Sequence, residues 1–188
     1  MEEAEALSTK MGIMVKGGIF RCFGSSQHIK SKFGTGYEIE AKIRKIQPEE
    51  LRSMIENYGL AGKEDLHFDE IEPVMRHKMV DEFLIREVRL GGLGNDLCVE
   101  ANERRGMVSI KNFITWLYIE MSGMKIVNGL VEDFSQVEIL EHYNDYYKMR
   151  VPRGDKSIGF VFSMIEGRKE DYNISEYSAS QTTLEQIF

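Results

Sequence analysis

Four histidines are the first residues to weigh for chemistry: His28, His67, His77 and His142. His67 is followed by Asp69 and Glu70, and His77 stands near Glu82. Such groups could ligate a metal, but their spacing matches no zinc pattern. Glu141-His142, with Asp145 nearby, has the makings of an acid–base pair. No nucleophile or oxyanion element accompanies it, so it reads as the end of a strand. Glycine clusters at 34–36 and 91–95, the latter GGLGN, are the only stretches that could cradle a phosphate. Neither is followed by Lys-Ser/Thr, and no G-x-x-x-x-G-K-[ST] occurs. GGLGN therefore reads as a surface turn. Tyr143, Tyr146 and Tyr147 could stack bases on a sheet, yet the RNP-type pattern is missing. No catalytic, cofactor-binding or metal-binding residue is expected in this chain.

The totals narrow the field. The 188 residues carry a net charge of -7, the wrong sign for a general nucleic-acid or anionic-membrane binder. Hydrophobic residues make up 42%, enough to fill a core. Lys10, Lys16, Arg21, Lys30, Lys32, Lys42, Arg44 and Lys45 gather early, with Glu38 and Glu40 among them. They read as solvated edges rather than a docking patch. Cys22 and Cys98 form no disulfide framework, which suits a reducing compartment. Cys22 lies in the apolar run 19–23 and reads as a small buried hydrophobe. Glu2, Glu3 and Glu5 have the wrong sign for a signal peptide. No apolar stretch approaches the ~20 residues that span a bilayer.

The positioning elements follow from periodicity. A short helix over 1–11 precedes a β-hairpin, whose strands at 13–15 and 19–23 meet at Gly17-Gly18. Ser25 or Ser26 starts a helix to about Phe33. Residues 37–46 alternate Tyr37, Ile39, Ala41, Ile43 with Glu38, Glu40, Lys42, Arg44, which predicts a strand with one wet face. Pro48 opens a helix striped by Leu51, Met54, Ile55 and Tyr58 and stopped by Gly59. Residues 63–69 read as loop. Pro73 opens another helix, striped by Val80, Phe83, Leu84 and Val88. Ser109 caps a helix with Ile110, Phe113, Ile114, Leu117 and Met121 on its core face. Gly123 interrupts it, and Val127, Leu130, Val131 and Phe134 continue a second piece. Strands follow at 137–142 and 147–151, separated by Asn144-Asp145. A helix over 158–167 comes next, then a short strand at 174–177. Ser178 with Gln181, and Thr182 with Glu185, match capping boxes for a final helix bearing Leu184, Ile187 and Phe188. That face either packs back on the body or continues in a longer parent chain.

Leaving the extra helices aside, the order after Gly36 is strand, helix, strand, strand, helix, strand. This is an α+β chain with the ferredoxin-like βαββαβ order and a helical insertion at about 47–133.

YSASQTTLEQIF at 177–188 resembles the close of the regulatory domain that follows a nucleotide-binding domain in A-subfamily ABC transporters. Residues 1–34, MEEAEALSTKMGIMVKGGIFRCFGSSQHIKSKFG, resemble the end of such an ATPase cassette, just after its switch histidine. The resemblance implies that 1–35 are the tail of a nucleotide-binding domain and 36–188 the regulatory domain. Walker A, Walker B, signature loop and switch histidine would all lie elsewhere in the parent, with its ATP and Mg²⁺. The chain alone would then hydrolyse nothing. Its implied partners are the remaining nucleotide-binding domain and the other regulatory domain, on the cytosolic face of a membrane, in ATP-driven lipid transport. The resemblance also implies that the hairpin, parted from its cassette, exposes a face meant to be covered. A stand-alone α+β protein-interaction module is the alternative.

Overall fold

The computed structural model describes residues 2–15, 17–34 and 36–182. The elements are α1 Glu2–Leu7, β1 Met11–Val15, β2 Ile19–Gly24, α2 Ser26–Phe33, β3 Gly36–Ile43, α3 Pro48–Asn57, β4 Asp65–His67 and α4 Phe68–His77. They continue with α5 Glu82–Arg86, α6 Asn95–Glu103, β5 Met107–Ser109, α7 Ile110–Phe134, β6 Glu138–Tyr143, β7 Tyr146–Pro152, α8 Ile158–Arg168 and β8 Ile174–Gln181. The chain divides into two compact units. One comprises Met1–Ile43 with Lys125–Phe188, the other Arg44–Met124.

The first unit is built on a four-stranded sheet in the order β6-β7-β3-β8, antiparallel throughout. The alternation along β3 sets its register. Tyr37, Ile39 and Ala41 lie opposite Val151, Met149 and Tyr147 of β7, and all six are buried. Burying a side chain of this size contributes about 1.5–3 kcal/mol. Val161 and Ile165 of α8, and Ile126, Leu130 and Phe134 of α7, are buried in the same unit. Ser157 caps α8 by accepting from the Phe160 N–H at 3.2 Å, and Tyr37 donates to the Lys156 carbonyl at 2.7 Å. Edge strand β6 carries a register break between Ile139 and Glu141; β8 pairs evenly from Lys42↔Glu176 to Tyr37↔Gln181. In the hairpin, Gly17 and Gly18 take φ of +100° and +74°, the conformations its turn requires. Ser25 caps α2, accepting from the His28 N–H.

The second unit has its own core. Phe113, Ile114 and Leu117 of α7 are fully buried, with Ile71 and Met75 of α4, Leu84 of α5 and Leu97 of α6. A two-stranded ribbon joins β4 to β5, with Leu66 opposite Val108.

Several expectations are corrected. The strand predicted to Ile46 stops at Ile43, because the Arg44 guanidinium reaches Glu50 and the chain turns into α3. Glu38 is only 6% exposed, so its end of the strand is not wet. The loop at 63–69 contains β4 and the start of α4. Pro73 lies inside α4, whose start is fixed by a capping box between His67 and Glu70. The stripe from Val80 to Val88 is not one helix: Met79 takes φ +54°, and the Asp81 carboxylate caps α5. Helix α6 and strand β5 were not anticipated. Gly123 does not interrupt α7, since the apolar residues buried on both sides of it outweigh a glycine cost of about 1 kcal/mol. Ser178 and Gln181 form no capping box. They lie in β8, where pairing with β3 claims the backbone. Of the predicted Thr182–Glu185 cap only Thr182, which is buried, is described; Glu185 and the final apolar helix fall on 183–188, outside the described residues.

Candidate interaction surfaces

Two of the four histidines, His67 and His142, are taken up in structural contacts. His67 Nδ1 accepts from the Asp69 N–H at 3.4 Å, while Glu70 accepts from the His67 N–H at 3.1 Å. The suspected metal ligands are thus a helix cap. His77 lies in the last turn of α4, and Glu82 pairs with Arg76 at 2.7 Å. His142 stacks on Tyr147 with ring centroids 3.9 Å apart, and its Nδ1 lies 3.0 Å from the Tyr146 carbonyl. Glu141 sits opposite Lys148 instead. Among the described residues, no group of three or more His, Cys, Asp or Glu could hold a metal ion.

The glycine N–H groups of the GGLGN stretch are all committed. The Gly91 N–H goes to Asn95 Oδ1, that of Gly92 to Arg89 O and that of Gly94 to Glu87 O. The Leu93 carbonyl accepts from Trp116 Nε1 at 3.0 Å. A phosphate would find no free nest here. The Trp116–Met121 stretch is core, as its spacing predicts: Phe113 and Trp116 stack at 6.5 Å, and Tyr58 donates to Met121 Sδ. Cys98 is buried and burial pushes its thiol up, whereas Cys22 is only half-buried.

Two surfaces remain. The first is apolar and belongs to the hairpin. Met14, Ile19, Phe20 and Phe23 are 56%, 66%, 62% and 67% exposed. Isolated exposed hydrophobics are ordinary, but Met14, Phe20 and Phe23 share one face of the ribbon and form a patch, while Ile19, opposite Val15, is on the other. The Gly12–Phe23 and Met14–Phe20 pairings place Met14, Phe20 and Phe23 together. Position 12 leaves room for the Phe20 ring: a β-carbon there would lie 2.6 Å from it.

The second surface is the polar face of the four-stranded sheet. Cross-strand registers place Glu138, Arg150, Glu38 and Ser180 in one row. Glu141, Lys148, Glu40 and Ser178 form the next, and Tyr143, Tyr146, Lys42 and Glu176 the third. Arg150 bonds Glu38 at 2.9 Å and Glu138 at 3.4 Å. Lys148 lies 3.7 Å from Glu38 and 3.5 Å from Glu40. Burial works against the Lys148 charge, but Glu38 and Glu40 more than offset it and hold the ammonium pKa above its ordinary range. Tyr143 and Tyr146 approach with centroids 4.9 Å apart on this face, while Tyr147 faces the core. Of the early basic residues, Lys42 stands opposite Glu176 and Arg44 is committed to Glu50. Sequence periodicity marked these strands but not their neighbours, so the rows became visible only with the sheet order.

No family model matches the chain. Along its whole length it is similar to Phospholipid-transporting ATPase ABCA3 of Homo sapiens: 30% identical over 188 residues, covering 100% of this chain and 7% of that protein. ATP-binding cassette sub-family A member 17 of Mus musculus is 29% identical over 190 residues, with the same coverage. Retinal-specific phospholipid-transporting ATPase ABCA4 of Homo sapiens is 61% identical over 44 residues, 23% of this chain and 2% of that protein. The chain therefore spans about 7% of the length of the curated relatives it matches from end to end.

Proposed function

From the premise that this chain belongs to the A-subfamily of ABC transporters, we propose that it joins the end of a nucleotide-binding cassette to a regulatory domain. In this reading residues 1–35 complete the cassette and 36–188 form the regulatory domain. The four strands β3, β6, β7 and β8 with their helices make a ferredoxin-like module, interrupted by the unit Arg44–Met124. The order β6-β7-β3-β8, all antiparallel, supports that arrangement. The module biases the closing of paired cassettes on ATP and does no chemistry alone. Such a device shifts an open–closed equilibrium only through contacts that differ between the two states. The relatives' names carry phospholipid transport, which we extend to the parent, with this piece on the cytosolic side of the membrane. Among the described residues no helix is long and apolar enough to cross a bilayer. Nucleic acid stays outside this reading, because the sheet face sets Glu38, Glu40, Glu138, Glu141 and Glu176 against only three cations.

The observation that carries the reading is the exposed apolar hairpin. Met14, Phe20 and Phe23 are suited to covering by the remainder of a cassette, with the ribbon as the seam. The test is complementation. The rest of the cassette and this chain, produced as separate polypeptides, co-purify. Phe20→Asp with Phe23→Asp abolishes that association and leaves the circular dichroism of the chain unchanged. Calorimetry of the chain alone with MgATP shows no binding. Tight ATP binding by the isolated chain, or association indifferent to the two aspartates, overturns the proposal.

A further inference from the structure

The unit Arg44–Met124 repeats itself. Helix α3, a loop, the three-residue strand β4 and helix α4 are followed later by α6, a loop, the three-residue strand β5 and α7. The same interval separates Leu66 from Val108, Ile71 from Phe113 and Met75 from Leu117, and all six side chains are buried. In both halves the strand runs directly into the next helix, at Phe68 and Ile110. The two strands pair antiparallel. The Phe68 N–H donates to the Gly106 carbonyl at 2.8 Å, and the Ile110 N–H to the Glu64 carbonyl at 3.0 Å.

Helix, loop, helix, with paired loops, is the construction of calcium-binding hands, whose twelve-residue loop takes ligands at positions 1, 3, 5, 7, 9 and 12 and a glycine at 6. With Leu66 and Val108 as the eighth positions, the loops are 59–70 and 101–112. Gly106 then falls at position 6 of the second loop and has φ +89°, the turn that this glycine serves. The ligand positions do not fit the ion. The second loop offers Ala101, Glu103, Arg105 and Asn112 at 1, 3, 5 and 12; the first offers Gly59, Ala61, Lys63 and Glu70. A cation at each fifth position stands where calcium needs an oxygen. Glu70, the one carboxylate at position 12, is spent on the His67 N–H.

A guanidinium ties the loops together instead. Arg104 of the second loop bonds both oxygens of Asp65 in the first at 2.9 Å, and Glu100 of its own half at 2.8 Å. Glu100 also accepts from the Ser109 N–H at 2.9 Å and from Asn112 Nδ2 at 3.0 Å. These bonds join the end of α6, both loops and the first turn of α7, whereas an ion in the second loop would gather only that loop and the helices beside it.

We propose that Arg44–Met124 is a pair of calcium-hand motifs stripped of their calcium ligands, in which the Arg104 guanidinium ties the two loops to each other where bound ions would stiffen each loop separately. Calorimetry of the full chain with CaCl₂ checks the first half. No saturable heat is expected up to about 1 mM, the weak end of natural hands; binding below that overturns it. Restoring the second loop with Ala101→Asp, Glu103→Asp, Arg104→Gly, Arg105→Asp and Asn112→Glu creates a site of about 10⁻⁵ to 10⁻³ M. Calcium then raises the unfolding midpoint read by Trp116. If the restored variant is unfolded in EGTA, recovery of helical circular dichroism on adding calcium is the expected result. A folded variant blind to calcium, or an unfolded one that calcium does not rescue, overturns the hand geometry. Arg104→Met checks the second half: amide exchange at Leu66 and Val108 rises about tenfold or more, with or without calcium. Unchanged exchange there removes Arg104 from the role.

Discussion

The two compact units order their charges in opposite ways. In the sheet unit, charges are spread in rows across strands, with each carboxylate facing a cation on its neighbour: Glu38 with Arg150, Glu40 with Lys148. In the helical unit, charges collect at the ends of elements, where Arg44 meets Glu50 at the start of α3 and Arg104 meets Glu100 and Asp65 at the ribbon. The rows fix which strand lies beside which. The clusters fix where helices begin. The lesson is that the sheet unit takes its specificity from long-range pairing and the helical unit from local closure.

Perturbing one unit at a time tests that contrast. The largest effect is expected from Phe113→Ala, which removes a fully buried ring and costs about 3–5 kcal/mol. Trp116, the single tryptophan, reports on that unit. Urea unfolding followed by its fluorescence shifts to lower midpoint. Ile39→Ala costs about 2–5 kcal/mol in the sheet. It lowers the midpoint of far-UV circular dichroism and leaves the Trp116 transition in place. Equal shifts of both signals by either variant would mean that the units unfold as one and the contrast has no energetic content.

A smaller effect follows for Glu38→Gln. It leaves Arg150 and Lys148 facing a neutral amide at a mostly covered position and costs about 1–3 kcal/mol. The loss is expected in circular dichroism, again without movement of the Trp116 midpoint. Smallest is Glu50→Gln. Hydrogen bonds from Arg44, then from the Gln47 N–H, hold the Glu50 carboxyl at about 2 against an ordinary 4.5. A carboxyl depressed in the folded state stabilises above its unfolded pKa, and that stabilisation disappears as pH falls through the folded one. Both partners are partly exposed, so the variant loses only about 0.5–1 kcal/mol at pH 7. Melting temperatures of wild type and variant converge between pH 4.5 and 2. A gap that stays constant over that window rules out the pair as its source.

What could be read from the residues divides along the same line. Strand β3 was legible because eight residues alternate, and β6 and β7 because Asn144-Asp145 separates two alternating runs. The hairpin announced itself through Gly17-Gly18, and its uncovered face was foreseen from the resemblance. β4 and β5 were not legible. A three-residue strand has no period to detect, and their stability comes from each other across Asp65–Ser109. The capping box of His67 and Glu70 was also missed, because histidine is an unusual N-cap and the pair looked like metal chemistry. Gly106 with its neighbours was the signal that could have revealed the second loop. At the other end, the serines of β8 imitated a helix start, since Ser-x-x-Gln serves a cap or an edge strand equally well.

The two rims of the four-stranded sheet are not alike. The break between Ile139 and Glu141 leaves β6 a poor template for any incoming strand, and its glutamates repel an apolar one. β8 breaks register only at its Ile174 end; from Glu176 to Gln181 it pairs evenly, is rich in serine and carries one charge. Misassembly of this protein, on heating or at high concentration, should therefore propagate from the β8 rim, and a lysine or proline placed there is where solubility is most cheaply gained.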